Sequence, residues 1–100
     1  MAGSPVTKDP VVAHLRDQIT QLDRSIVRAL NMRLRLVATL KRYKESRGVD
    51  FLDPTREDEM LQDLLHINAG GPLSSEGVRE LFEKILDLTK REVGRAKEGS

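Results

Sequence analysis

Pro10 to Arg47, PVVAHLRDQITQLDRSIVRALNMRLRLVATLKRYKESR, holds no glycine, and no proline after its first residue. Apolar residues recur through it at Val12, Leu15, Ile19, Leu22, Ile26, Leu30, Val37 and Leu40, in steps of three, four or seven. That repeat marks one face of an amphipathic helix. Asp9 can cap free backbone N–H groups at its start, Pro10 fits the first helical position, and Gly48 stops it. At 1.5 Å per residue such a helix is roughly 50 Å long. A compact chain of this size has a radius of gyration of only about 13 Å. The rod would overhang its own domain and expose its stripe. A second copy laid along it resolves both problems, so length and spacing predict a symmetric dimer. The alternative is a break near Asn31-Met32, giving a monomeric bundle.

Two shorter helices follow. Asp53-Pro54 repeats the cap-plus-proline start, and Met60, Leu61, Leu64, Leu65 and Ile67 give the second helix its apolar face. Asn68-Ala69-Gly70-Gly71-Pro72 breaks it. The third helix starts at Ser74 or Ser75. Leu73 and Val78 then stand at the spacing of a hydrophobic staple around a Ser74 cap. Val78, Leu81, Phe82, Ile85, Leu86 and Leu88 form its face, and fraying is expected from about Arg95. The expected fold is all-α, with one long, one short and one medium helix per protomer of an intertwined homodimer. Its expected parts are a flexible tail over residues 1–9, a helical domain over 10–96 and a flexible end over 97–100.

Composition narrows the function. The 100 residues are 38% apolar but only 3% aromatic, so aliphatic side chains must build the core. Charged residues are nearly balanced at a net +1, which argues against nucleic acid as a partner. Cysteine is absent, which excludes disulfides and thiolate metal sites. His14 and His66 are far apart and lack ligand spacing, so no metal site is expected. The first residues do not read as a signal peptide, and no stretch approaches the roughly 20 apolar residues of a membrane span. The expected setting is cytoplasmic, with no membrane partner.

The informative feature is charge where apolar residues belong. Arg33 falls in the stripe between Leu30 and Val37, and Lys44 follows 11 residues later. Eleven steps of about 100° return to within roughly 20° of the same direction, so the two cations share a face. A cation on an inward face needs an anion. Asp and Glu of the later helices pair with it, the long stems snorkel to water, or the face binds an anionic ligand. Arg16 points about 100° away from that direction, so it is either a solvated or capping residue or, in a two-fold dimer, a cation that reaches the partner's pocket. Asp53, Arg56 and Glu57 cluster at the start of the second helix. Capping alone accounts for Asp53. Arg56 can meet a carboxylate or neutralise Glu57. Glu57 can accept from a ligand hydroxyl or simply favour the helix N-terminus. No nucleophile elbow, phosphate loop or zinc-helix motif is present. Arg and Lys with one or two acids suit a dicarboxylate held by charge.

The ordered set resembles the all-helical chorismate mutases. Leu15-Arg16-Asp17-Gln18-Ile19-Thr20-Gln21-Leu22-Asp23 is similar to their opening motif. Arg33, Lys44 and Asp53-Pro54-Thr55-Arg56-Glu57 follow without an insertion, and the likeness covers roughly Val11 to Val93. The resemblance implies a homodimer whose first helices cross, with each site shared between subunits. It implies rearrangement of chorismate to prephenate in tyrosine and phenylalanine biosynthesis, without a cofactor. It assigns one substrate carboxylate to Arg33 and the other to Arg16 of the neighbouring subunit. Lys44 would donate to the ether oxygen and a carboxylate. Glu57 would hold the substrate hydroxyl, helped by the backbone around Asp53, and Arg56 would line the pocket. Thr89 falls where the family often has a small hydroxyl residue.

One position departs from the pattern. Eleven residues after Phe82 the family usually carries Gln or Glu, a second donor to the ether oxygen; here it is Val93. Glu92, one residue earlier, is turned about 100° away. A missing donor of this kind costs roughly 10²–10³ in rate. Some members of the family are joined to, or bind, the synthase that begins the shikimate pathway. The departure therefore leaves a weakly catalytic chorismate- or prephenate-sensing domain with a synthase partner as an alternative. A related isochorismate pyruvate lyase shares the fold and is a further one.

Overall fold

The computed structural model describes residues 9–98, with side chains described as far as Arg95. Three helices follow one another: α1 (Pro10–Ser46), α2 (Pro54–Ile67) and α3 (Ser75–Glu98). No strand occurs among the described residues. Of the expected N-terminal tail only Asp9 is described; residues 1–8, and 99 and 100 at the other end, lie outside the described residues. Helix α3 continues past Arg95 to Glu98. The chain divides into two compact units, Met1–Arg33 and Leu34–Ser100.

In the first unit, Asp9 caps α1. The Val11 N–H donates to Asp9 Oδ1 at 2.8 Å, and the Ala13 N–H donates to the Asp9 carbonyl at 3.0 Å. The break considered near Asn31-Met32 does not occur. The Asn31 amide donates back to the Val27 carbonyl at 3.0 Å, so its polarity is spent inside the helix. Leu15, Ile19, Leu22 and Ile26 are all exposed, Leu22 by 63%. No residue of α1 is buried.

In the second unit, Gly48 ends α1 with φ +68°. The Val49 N–H reaches back to the Lys44 carbonyl at 2.8 Å, and the Gly48 N–H to the Glu45 carbonyl at 3.2 Å. These two bonds form a Schellman cap and satisfy carbonyls the helix leaves open. Asp53 then caps α2: its Oδ1 accepts from the Arg56 N–H at 3.1 Å. After α2, Gly70 takes φ +82°, and the Asn68 amide donates to the Leu73 carbonyl at 2.7 Å. Ser74 caps α3 by accepting from the Gly77 N–H at 2.9 Å.

Helices α2 and α3 pack against one another. Among the described residues Val78, Thr89 and Val93 are the buried ones, all on α3. With half-buried Phe82 and Ile85 they recur at helical spacing along one side, which is the core face of this unit. Met60, Leu61, Leu64 and Leu65 of α2 are half-buried, as expected for its apolar face. Ile67 is not part of that face. It is exposed in the last position of the helix, where the chain turns away at Asn68.

An added Cβ at Gly48 would meet no atom within 4 Å, so its substitution carries only a conformational cost. Gly48→Ala is expected to destabilise the protein by about 1 kcal/mol in urea unfolding. A variant as stable as the parent would show that the left-handed turn is not required.

Candidate active site

The sequence-predicted residues fall in both units. Arg16 and Arg33 belong to the first, where Arg16 is exposed and Arg33 half-buried. Lys44, Asp53, Arg56, Glu57, Thr89 and Val93 belong to the second.

Lys44 sits in the last turn of α1, half-buried. Its ammonium donates to the Phe51 carbonyl at 3.5 Å, at the long limit for such a bond. One turn earlier, the Lys41 ammonium lies 5.6 Å from the centre of the Phe51 ring. The connection between α1 and α2 thus folds back onto the helix it leaves, by one carbonyl contact and one cation–π contact. The ammonium of Lys44 is held at the junction that leads into α2.

Asp53, Arg56 and Glu57 open α2. The side chain of Asp53 is spent on the cap, and its carbonyl accepts from the Glu57 N–H at 3.1 Å. Arg56 is exposed. Glu57 is half-buried, and its Oε1 lies 3.1 Å from the ammonium of Lys90 on α3. The partner of this acid is therefore neither Arg56 nor the helix terminus alone. It is a cation from a second helix, one that the sequence reading did not single out. Pairing across helices leaves no fixed spacing in a sequence; the available signal is only a lysine directly beside Thr89.

Thr89 is buried, and its hydroxyl donates to the Ile85 carbonyl at 2.6 Å. Val93, one turn on, is buried too. A hollow of about 240 Å³ opens beside it, lined by Leu34, Arg35, Ala38, Glu92 and Val93. Although their directions differ by about 100°, Val93 and Glu92 line the same hollow. Glu92 also meets Arg95 at 3.4 Å, one turn along the helix. Arg35 is a second residue that the sequence reading passed over.

Among the described residues no group of His, Asp and Glu could hold a metal ion, and no helix is long and apolar enough to cross a membrane. The arrangement is one of positioned charges: a lysine at the helix junction and a paired acid on a capped helix.

Residues 15–97 match the family model described as chorismate mutase type II. The chain belongs to that family. Among solved structures, the chorismate mutase (form II) from Thermus thermophilus is 34% identical, with a TM-score of 0.77, over 84% of this chain and 94% of that one. Among curated proteins, the bifunctional chorismate mutase/prephenate dehydratase of Buchnera aphidicola subsp. Acyrthosiphon pisum (strain APS) is 33% identical over 72 residues. The match takes in 72% of this chain but spans only 19% of that relative. Every candidate residue from Arg16 to Val93 lies within the part matched by the chorismate mutase type II model.

Proposed function

We propose that this chain is a chorismate mutase that rearranges chorismate to prephenate, as a homodimer with each site shared between subunits. The observation that carries the reading is the junction of α1 and α2. A half-buried ammonium, Lys44, precedes a capped helix whose first turn carries a half-buried acid, Glu57. The ammonium suits a carboxylate or an ether oxygen and the acid suits a hydroxyl, and both are set in a chain of the chorismate mutase type II family.

The reaction breaks the ether C–O bond and forms a C–C bond in one pericyclic step. It needs no nucleophile and passes through no covalent intermediate. The protein contributes by holding the substrate in its reactive diaxial shape, which removes an entropic part of the barrier. It also stabilises the negative charge that grows on the ether oxygen, and Lys44 is the donor placed for it. Arg33 takes one carboxylate as a planar fork, and Arg16 of the neighbouring subunit takes the other. Glu57 accepts from the hydroxyl, with the Asp53 backbone beside it. Arg56 lines the pocket, and Thr89 stands where the family often has a small hydroxyl residue.

Dimerisation is supported by what one chain leaves uncovered. No residue of α1 is buried, and its stripe from Leu15 to Ile26 is exposed. At about 25 cal/mol per Å², covering such a stripe is a substantial driving force for association.

Val93 favours a second reading. A valine, buried in the core face of α3, stands where the second donor to the ether oxygen belongs. In that reading the domain senses chorismate or prephenate for a shikimate-pathway synthase and turns substrate over slowly on its own.

Arg33→Ala and Lys44→Ala are each expected to lower kcat/KM for prephenate formation by about 10² or more, measured on a dimer of about twice 11.3 kDa by light scattering. Rates within about twofold of the parent for both variants would contradict the assignment. Val93→Gln separates the two readings. If the donor is missing, it raises kcat by about 10²; an unchanged rate means that Val93 is no handicap.

A further inference from the structure

The ion pair between Glu57 and Lys90 is the feature that the mechanism above does not use. Lys90 Nζ lies 3.1 Å from Glu57 Oε1 and ties the first turn of α2 to α3. We propose that Lys90 is a positioning residue for Glu57, holding its carboxylate in the one orientation that accepts the substrate hydroxyl. The proposal rests on the reading of Glu57 as the hydroxyl-binding acid.

Three observations support it. First, the backbone of Glu57 is already fixed, because its N–H donates to the Asp53 carbonyl and Asp53 caps the helix. What remains free is the side chain, a flexible one with three rotatable bonds. Lys90 takes one of its two oxygens and leaves the other to accept. Second, Lys90 rises from a well-held part of α3. Thr89 beside it and Val93 one turn on are both buried. The ammonium is therefore carried by backbone that the core anchors on both sides. Third, the charges are arranged to suit an anionic substrate. A bare carboxylate next to a dianion repels it, and a cation in contact with that carboxylate offsets the repulsion.

The pair is poorly explained as a structural strut. The side chains of Lys90 and Glu57 are 45% and 32% exposed, and ion pairs so open to water add little to folding. Helices α2 and α3 already pack against one another.

The test compares the full chain with Lys90→Met, Lys90→Arg, Glu57→Gln and the Lys90→Met/Glu57→Gln double variant. Each is assayed for kcat and KM with chorismate, with thermal melting as the folding control. The expected result is a kcat about tenfold lower in Lys90→Met, with the melting curve little changed. Lys90→Arg keeps the charge and recovers most of the rate. In the Glu57→Gln background, Lys90→Met adds no further loss, because the group it positions is gone. Lys90→Met within about twofold of the parent, beside an impaired Glu57→Gln, overturns the role of Lys90 alone. An undiminished Lys90→Met effect in the Glu57→Gln background also overturns it, and makes Lys90 act on the substrate directly. A parental rate in Glu57→Gln overturns the reading of Glu57 itself, and the proposal with it.

Discussion

Residues 47–53 must leave one helix and enter the next without stranding backbone polar groups, and the chemistry around that junction is set by how they do it. The left-handed Gly48 lets the Val49 N–H turn back to the Lys44 carbonyl. The same residue, Lys44, then places its ammonium against the Phe51 carbonyl, with the Lys41 ammonium over the Phe51 ring. Asp53 closes the passage by capping α2, which fixes the backbone of Glu57. One short connection thus ends a helix, starts a helix, holds the proposed ether-oxygen donor and aims the proposed hydroxyl acceptor. Satisfying orphan N–H and C=O groups is an ordinary requirement of helix ends. Here meeting it also fixes the backbone beside the candidate residues Lys44 and Glu57.

The helices were legible in the sequence because their ends are written in local chemistry. Asp9-Pro10 and Asp53-Pro54 are cap-plus-proline starts, and both helices begin at those prolines. Gly48 and Asn68-Ala69-Gly70-Gly71-Pro72 are stops, and Gly48 and Gly70 take the positive φ that an L side chain avoids. Contacts between elements were not legible. The Glu57–Lys90 pair joins two helices, and no spacing rule connects them. The Phe51 carbonyl that accepts from Lys44 is a backbone group, which every residue has. Ile67 fits the periodicity of α2 yet is exposed, because a periodic pattern does not see where the chain turns. Arg35 and Glu92 line a hollow beside Val93 although neither lies in the apolar pattern.

Among the described residues full burial is found only on α3, while residues of α1 are at most half-buried. An aliphatic chain of this size gains stability only by covering such surface. This is why the proposed dimer and the proposed chemistry belong together. The exposed stripe that invites a second copy runs through the part of α1 that carries Arg16. Covering it would bring a cation to the partner's site in the same step. Val93 shows the opposite balance. As a buried aliphatic residue it serves the core face of α3, where a polar donor would have to be accommodated.

The most direct measurement follows the loss of chorismate by absorbance with purified protein, with the product identified and isochorismate assayed beside it. The expected result is that the isolated chain converts chorismate to prephenate and releases no pyruvate from isochorismate. Pyruvate from isochorismate, or neither turnover nor binding of chorismate, would contradict it.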